Sequence, residues 1–120
     1  MSVIRRKVAG KWEWEGVAQV TYDKPTVRGV AKHVLIGPKD GAKGVALRYF
    51  EVQPGGNSAN ESHPHIHEVY VVHGRGKVLL GDTYHDIAAG DVIYIAPNEQ
   101  HELRADAGVP LGFLCAAAIP

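Results

Sequence analysis

Short runs of alternating apolar and polar residues fill most of the chain, and turn-forming residues separate them. Such alternation is typical of β-strands with one buried face, because successive side chains point to opposite faces. It predicts five strands, at residues 46–53, 67–74, 76–82, 91–96 and 110–118. The connecting segments, among them PGGNS, GRG, AAGD and APNEQ, are rich in residues that tolerate tight turns. The chain is therefore predicted to be nearly all β.

The first third of the chain gives a weaker strand signal. We assign residues 17–21 and 27–36 to strands that extend or cover a sheet, or that contribute to a subunit contact. Short strands joined by tight turns favour a closed barrel or a two-sheet jelly roll, since both arrangements deal with exposed strand edges. With 120 residues, 45% of them apolar, and no linker, we predict one domain over 1–120. Its strands or arm would occupy 1–45 and its barrel core 46–118.

The charge balance and the single cysteine narrow the partners and the compartment. Thirteen basic and thirteen acidic residues cancel without a run of like charge, which argues against nucleic-acid or anionic-membrane binding. A small molecule is the expected partner. Cys115 cannot form an intrachain disulfide, the N-terminus lacks the apolar stretch of a secretory signal, and the longest apolar run is too short to span a membrane. These features predict a cytoplasmic protein.

The stretch ESHPHIHE, which begins at position 61, concentrates metal-binding chemistry. Its metal-capable side chains stand at every second position: Glu61, His63, His65 and His67. On a regular strand they would share one face, but Pro64 removes a backbone donor and favours a bent segment. Imidazoles and carboxylates are the usual ligands of first-row divalent metals, and a mononuclear site needs three or four of them. The cluster therefore predicts a metal site.

A second passage, GDVIYIAPNEQH at residues 90–101, ends in another histidine, and the two passages together resemble the two motifs of the cupin superfamily. In the first motif the matching positions are Gly55, Glu61, His63, His67 and Gly74, and in the second they are Gly90, Ala96, Asn98 and His101. Asn98 replaces a glycine, and asparagine tolerates the left-handed backbone such a turn needs. The resemblance implies a small bacterial cupin, a jelly-roll barrel with one divalent metal inside, such as iron, manganese, copper, nickel or zinc.

Two ligand sets are compatible with this resemblance. The first set keeps the family spacings and consists of Glu61, His63, His67 and His101. The second keeps the familiar residue order and consists of His63, His65, Glu68 and His101. We favour the first, because strand alternation puts Glu68 on the face opposite His63. His65 then becomes a neighbour of the metal or a substrate contact.

Further residues are predicted to surround the site. If His67 points inward, Val69 and Val71 give the metal an apolar wall. An inward Arg48 would hold a carboxylate beside the metal, whereas an outward one would be an ordinary surface residue. Candidate pocket residues from other strands are Tyr94, Phe113 and Cys115. His65, Arg48 and Tyr94 are the candidate catalytic residues.

The resemblance also implies oligomeric state and activity. Small cupins commonly dimerise, and an N-terminal arm with Trp12 and Trp14 suits a homodimer contact or an edge strand. The leading hypothesis for activity is a dioxygenase-like oxidoreductase that acts on a small oxygenated or carboxylated substrate. The alternatives are a non-redox lyase, isomerase or decarboxylase, and a non-catalytic cupin that binds a metal or a sugar acid.

Overall fold

A computed structural model describes residues 2–22 and 24–119 of the chain, in which nine strands dominate. The strands are β1 (Gln19–Thr21), β2 (Arg28–Ile36), β3 (Val45–Asn57), β4 (His67–His73), β5 (Arg75–Leu80), β6 (Thr83–Ala88), β7 (Val92–Ile95), β8 (His101–Ala105) and β9 (Leu111–Ala118). A short 3₁₀ helix, Pro38–Asp40, connects β2 to β3. No helix in the described part of the chain is long and apolar enough to cross a membrane.

One curled antiparallel sheet contains the strands in the order β6-β5-β8-β3-β9-β4-β7, with β2 paired to β3 and β1 paired to β2. β3 is the longest strand and pairs with β2, β8 and β9. This confirms the all-β prediction and all five predicted strands. The assignments of 17–21 and 27–36 to strands are also confirmed, as β1 and β2.

Successive side chains of β3 point to opposite faces of the sheet, and each face contributes to a different cluster of packed side chains. Phe50 and Val52 face the interior, where they pack with core residues such as Val71, Leu111 and Phe113. A fully buried apolar side chain of this size contributes about 1.5–3 kcal/mol, so this core accounts for much of what holds the sheet curled.

The opposite face of β3 carries a second, aromatic cluster. Tyr49 is fully buried there and donates or accepts a hydrogen bond with Nε2 of His73, 2.6 Å away. Trp12 stacks on the Tyr49 ring at 5.6 Å, and Trp14 lies 5.2 Å from the same ring. The N-terminal arm thus covers the outer face of its own sheet. Neither tryptophan lies in an edge strand among the described elements.

Candidate metal centre

Three of the four predicted ligands meet at one point of the barrel. His63 lies in the bent segment before β4, His67 is the first residue of β4, and His101 is the first residue of β8. One nitrogen from each lies within 4.8 Å of the others. Metal–nitrogen bonds of about 2.0–2.1 Å place two ligands of one ion no more than about 4.2 Å apart. The three nitrogens therefore lie within a few tenths of an ångström of a spacing that one ion could bridge.

Backbone pairing brings the two distant parts of the chain together. An isolated β-bridge joins Glu61 to His101, through backbone N–H donors and carbonyl acceptors at 3.1 and 2.9 Å. The backbone N–H of Asn98 donates to the carbonyl of His63 at 2.6 Å, and Asn98 adopts the left-handed conformation with φ 63°. The expectation that asparagine supports this turn is confirmed. Backbone hydrogen bonds to the turn before β8 therefore hold the segment before β4 in position.

His67 is the most deeply placed of the three, with 6% of its surface exposed. Its Nδ1 lies 3.3 Å from Sγ of Cys115 and 3.3 Å from Nη2 of Arg48. Its Nε2 is buried and has no hydrogen-bond partner in the described residues. Burial, followed by the positive charge of Arg48, lowers the pKa of His67 from 6.5 to about 4. The ring is therefore neutral near neutral pH, which is the form that binds metals.

A backbone contact orients His101 in a similar way. Its Nδ1 lies 2.9 Å from the carbonyl oxygen of Glu99, which can only accept a hydrogen bond. A proton on Nδ1 leaves Nε2 with its lone pair available for an ion, and second-sphere contacts of this kind are typical of metal-binding histidines.

Glu61 lies beside the three-nitrogen cluster, against His63. Its Oε1 is 3.0 Å from Nε2 of His63 and 3.3 Å from the Tyr22 hydroxyl, and its Oε2 accepts a hydrogen bond from Nζ of Lys24 at 2.8 Å. Bonds of about 2.1 Å place adjacent ligands of a six-coordinate ion about 3 Å apart, so the Glu61–His63 separation fits two neighbouring ligands. Burial opposes ionisation of Glu61, but hydrogen bonds from Lys24 and His63 outweigh it and lower its pKa.

The residues of the alternative ligand set are not brought together. The ring of His65 stacks on His63 at 4.8 Å and lies 4.9 Å from His67, but its nitrogens do not belong to the close cluster. Glu68 is exposed and pairs across strands with Tyr94 on the outside of the sheet. The expectation from strand alternation therefore agrees with the geometry, and His65 takes the position of a neighbour.

The histidines line a pocket of about 310 Å³. Val69 forms part of an apolar wall, as predicted, and the candidate pocket residues Phe113 and Cys115 line the pocket together with Arg48. Val71 was predicted to form the same wall, but it packs within the hydrophobic core and does not line the pocket. The inward orientation of Arg48 resolves the choice left open by the sequence. Burial raises the pKa of the Cys115 thiol, which keeps it protonated beside His67.

The prediction that Tyr94 belongs to the pocket is wrong. Tyr94 is 55% exposed, because Ile93 and Ile95 take the inward positions of β7 and leave Val92 and Tyr94 outside. The sequence contains this alternation, so counting positions along the strand from Ile93 would have excluded Tyr94.

Sequence reasoning missed four polar residues of the pocket, which are Ser58 and a group of three: Tyr22, Lys24 and Lys32. The group of three comes from the first third of the chain, for which only strands were predicted. A signal was available for Lys32, which stands between Val30 and Val34 on one face of β2. A lysine on such a face is a sign of a polar pocket.

These residues fit a bound divalent metal. Three imidazole nitrogens converge, and the carboxylate of Glu61 lies outside this group, 3.0 Å from Nε2 of His63. The buried Nε2 of His67 has no hydrogen-bond partner in the described residues. The cluster thus indicates a metal site, without identifying the metal.

Comparison with known proteins identifies the family of this chain. The family profile described as "Cupin domain" matches residues 48–117. The 1-methylthio-D-xylulose 5-phosphate methylsulfurylase of Rhodospirillum rubrum is 37% identical over 113 residues, which cover 92% of this chain and 71% of the relative.

Solved structures are similar as well. A cupin 2 conserved barrel domain protein from Rhodopseudomonas palustris is 36% identical, with a TM-score of 0.87 over 98% of this chain and 81% of that one. The polyketide cyclase RemF from Streptomyces resistomycificus is 28% identical, with a TM-score of 0.80 over 86% of this chain and 74% of that one. The profile match, the relative's identity and the shared barrel agree with the histidine motifs, and the chain belongs to the cupin family.

Proposed function

We propose that this cupin is an enzyme that acts on a small oxygenated or carboxylated organic substrate at one divalent transition metal. His63, His67 and His101 would hold the metal, with Glu61 as the fourth ligand. The observation that carries the proposal is the convergence of three histidine nitrogens within 4.8 Å at the wall of a pocket of about 310 Å³. A pocket of this size suits a small metabolite.

The side chains of this chain prepare the site in three ways. When Nδ1 of His67 carries the ring proton, its N–H can donate a hydrogen bond to Sγ of Cys115, which leaves Nε2 free as a ligand. Lys24 holds the carboxylate of Glu61 in place. The apolar side chains of Val69 and Phe113 limit water and strengthen charge interactions within the pocket. A bound divalent metal supplies Lewis acidity and open positions for substrate.

Two reaction classes fit this arrangement. The inventory of three histidines and one glutamate supports the dioxygenase-like oxidation favoured by the sequence. The names of two relatives, a methylsulfurylase that acts on 1-methylthio-D-xylulose 5-phosphate and a polyketide cyclase, support the class in which the metal acts as a Lewis acid without dioxygen. We place the Lewis-acid class first and keep the dioxygenase as the second candidate.

Metal analysis and activity assays test the proposal together. Protein purified without added metal should contain about one equivalent of iron, manganese, copper, nickel or zinc by elemental analysis. The double variant with His67→Ala and His101→Ala should lose it, and His85→Ala, an exposed change on β6, should keep it. Protein that stays metal-free after growth in metal-replete medium, with thermal stability unchanged on metal addition, would overturn the proposal.

The same preparation separates the reaction classes. Conversion of 1-methylthio-D-xylulose 5-phosphate under nitrogen, followed by mass spectrometry, would support the Lewis-acid class. Oxygen uptake that requires both metal and substrate would support the dioxygenase instead. Metal binding without conversion in either assay would favour the non-catalytic binding module.

We further propose that residues 1–120 form one cupin domain and that it assembles as a homodimer. Pairing of β1 and β2 onto the core strand β3 supports the single domain. Exposed apolar side chains on the outer face of β4 and β7, namely Tyr70, Val92 and Tyr94, support a contact between copies.

A further inference from the structure

Three cationic side chains line the same pocket as the histidines: Lys24, Lys32 and Arg48. Lys24 is neutralised by its 2.8 Å ion pair with Glu61. Lys32 and Arg48 form no ion pair with a carboxylate in residues 2–22 and 24–119. The pocket therefore carries about two positive charges that nearby acidic groups do not balance.

Strand register places these two charges next to each other. β2 and β3 pair so that Lys32 lies opposite Phe50 and Val34 lies opposite Arg48. Lys32 and Arg48 are therefore diagonal neighbours on the inward face, a relation in which side chains lie about 7–8 Å apart at their bases. The long side chains of lysine and arginine can converge on one group from that spacing.

Arg48 keeps unused hydrogen-bonding capacity. Its Nη2 contacts His67 and Cys115, but its Nε is buried without a partner in the described residues. The guanidinium lies 5.1 Å from the centre of the Phe50 ring, a cation–π contact that stabilises its position in the pocket. A planar fork of this kind suits an oxygen-rich anion.

Lys32 carries the second positive charge that no nearby acidic group in the described residues balances. Its ammonium lies 5.8 Å from the centre of the Tyr22 ring, and it has no hydrogen bond with the other described residues. Burial, followed by the charge of Arg48, lowers its pKa. A bound anion would relieve both effects, because it would offset the repulsion and replace lost hydration.

We propose that Lys32 and Arg48 form an anion subsite for the phosphate group of a small phosphomonoester. The charge count distinguishes the anion: a phosphomonoester carries about −1.5 to −2 near pH 7, which matches two cations, whereas a carboxylate leaves one uncompensated. Placement of the substrate's oxygenated carbons at His63, His67 and His101 rests on the proposed function. The phosphate subsite itself does not.

Calorimetric titration with inorganic phosphate and with glycerol 3-phosphate tests the subsite. The protein is titrated as purified and again after metal removal with EDTA, so that binding to a metal is separated from binding to the cations. Both phosphates should bind both preparations, and acetate should bind at least about tenfold more weakly. Lys32→Gln should weaken phosphate binding by about 10- to 100-fold and leave metal content unchanged.

Matched variants complete the test. Lys32→Arg keeps the charge and should restore most of the affinity for phosphate. Lys77→Gln removes an exposed lysine that pairs with Asp86 outside the pocket, and it should have no effect. The subsite is overturned if phosphate does not bind, if acetate binds equally well, or if Lys32→Gln binds phosphate like the unchanged protein. Normal phosphate binding by a protein that contains no metal as purified, and takes up none when metal is added, would overturn the proposed function and leave the subsite standing.

Discussion

His67 has its two ring nitrogens in different environments. Nδ1 has Cys115 and Arg48 within 3.3 Å, while Nε2 is buried with no hydrogen-bond partner in the described residues. Leaving a buried polar group unsatisfied costs about 1–3 kcal/mol, so the fold contains a nitrogen whose lone pair needs a ligand. The neighbouring nitrogens of His63 and His101 make a metal the simplest such ligand.

Three variants test which carboxylate and which histidine bind the metal. Glu61→Ala should weaken metal affinity about tenfold or more, because it removes the carboxylate that lies 3.0 Å from Nε2 of His63. His65→Ala should retain the metal, because its nitrogens lie outside the close cluster. Affinity is measured by competition with a chromophoric chelator.

Glu68→Ala is the matched control, since Glu68 is an exposed carboxylate in the same segment. It should bind metal like the unchanged protein. Loss of metal from His65→Ala and Glu68→Ala, with retention in Glu61→Ala, would show that the alternative ligand set is correct.

The lowered pKa of His67 predicts a pH dependence of stability in the metal-free protein. Between about pH 6.5 and 4, His67 is mostly protonated in the unfolded chain and mostly neutral in the folded protein. The free energy of unfolding therefore falls as pH falls through this window. The expected loss from about pH 7 to pH 5 is about 1–2 kcal/mol. The pKa of His65, lowered chiefly by burial, acts in the same direction.

Urea unfolding in EDTA at the two pH values measures this loss. His67→Gln should show a smaller loss than the unchanged protein, and His85→Gln, which changes an exposed residue, should show the same loss. Glu61 has little effect on this comparison, because a lowered carboxyl pKa changes stability mainly below the ordinary pKa of 4.5, and both measurements are made above that pH. An equal loss in His67→Gln would contradict the assignment.

At the scale of elements, strand alternation explains what could be predicted from the sequence. The predicted strand at 91–96 shows it well, because Ile93 and Ile95 are buried while Val92 and Tyr94 are exposed. β6 and β8 were not predicted, because their residues are mainly polar. In β8 the buried Glu102 accepts hydrogen bonds from the Tyr84 hydroxyl and from Arg104, and these satisfy its charge. Such pairing across strands is invisible in local sequence.

The site residues also differ in whether the local sequence or the pairing of distant strands determines their positions. His63, His67 and His101 were predictable because family spacing and alternation both apply to them. Lys24 and Lys32 were not predicted, because their positions depend on how β1 and β2 fold back over β3. That arrangement is set by tertiary pairing and has no motif of its own.

The motif glycines Gly74 and Gly90 should differ in how much stability is lost when each is replaced by alanine. Gly74 and Gly90 both have positive φ, at 81° and 97°. A Cβ on Gly74 would lie 1.9 Å from the carbonyl oxygen of Pro110, whereas a Cβ on Gly90 meets nothing within 4 Å. Gly90→Ala should cost about 1–2 kcal/mol for backbone strain alone.

Gly74→Ala should cost at least about 3 kcal/mol, because overlap with backbone adds to the strain. Chemical denaturation of both variants measures the difference, and the Gly90 variant serves as the control for conformation. Equal costs would mean that the close approach of Gly74 to Pro110 is not what requires a glycine there.

At the scale of the whole molecule, the N-terminal arm and the outer sheet face have different roles. Trp12 and Trp14 are half-buried against Tyr49, so the arm completes the fold of its own chain. Val92 and Tyr94 are 75% and 55% exposed. The sheet face is therefore the better candidate for the predicted contact between copies.

Sedimentation velocity tests this assignment. The unchanged protein should sediment as a dimer at micromolar concentration, and Val92→Glu combined with Tyr94→Glu should sediment as a monomer with its metal content unchanged, because buried charge disfavours association. Ile4→Glu is the control, since Ile4 is an exposed apolar residue of the arm. Dissociation by Ile4→Glu alone would place the contact at the arm.

The distance along the chain between His67 and His101 has a consequence for the lifetime of the protein. His67 begins β4 and His101 begins β8, so an ion bound by both histidines would cross-link the two ends of the segment between them. A ligand present at about 1,000 times its Kd stabilises the folded state by about 4 kcal/mol. Metal scarcity would then lower the amount of folded protein available to escape proteolysis, as well as its activity. The metal supply of the cell would set both quantities through one site.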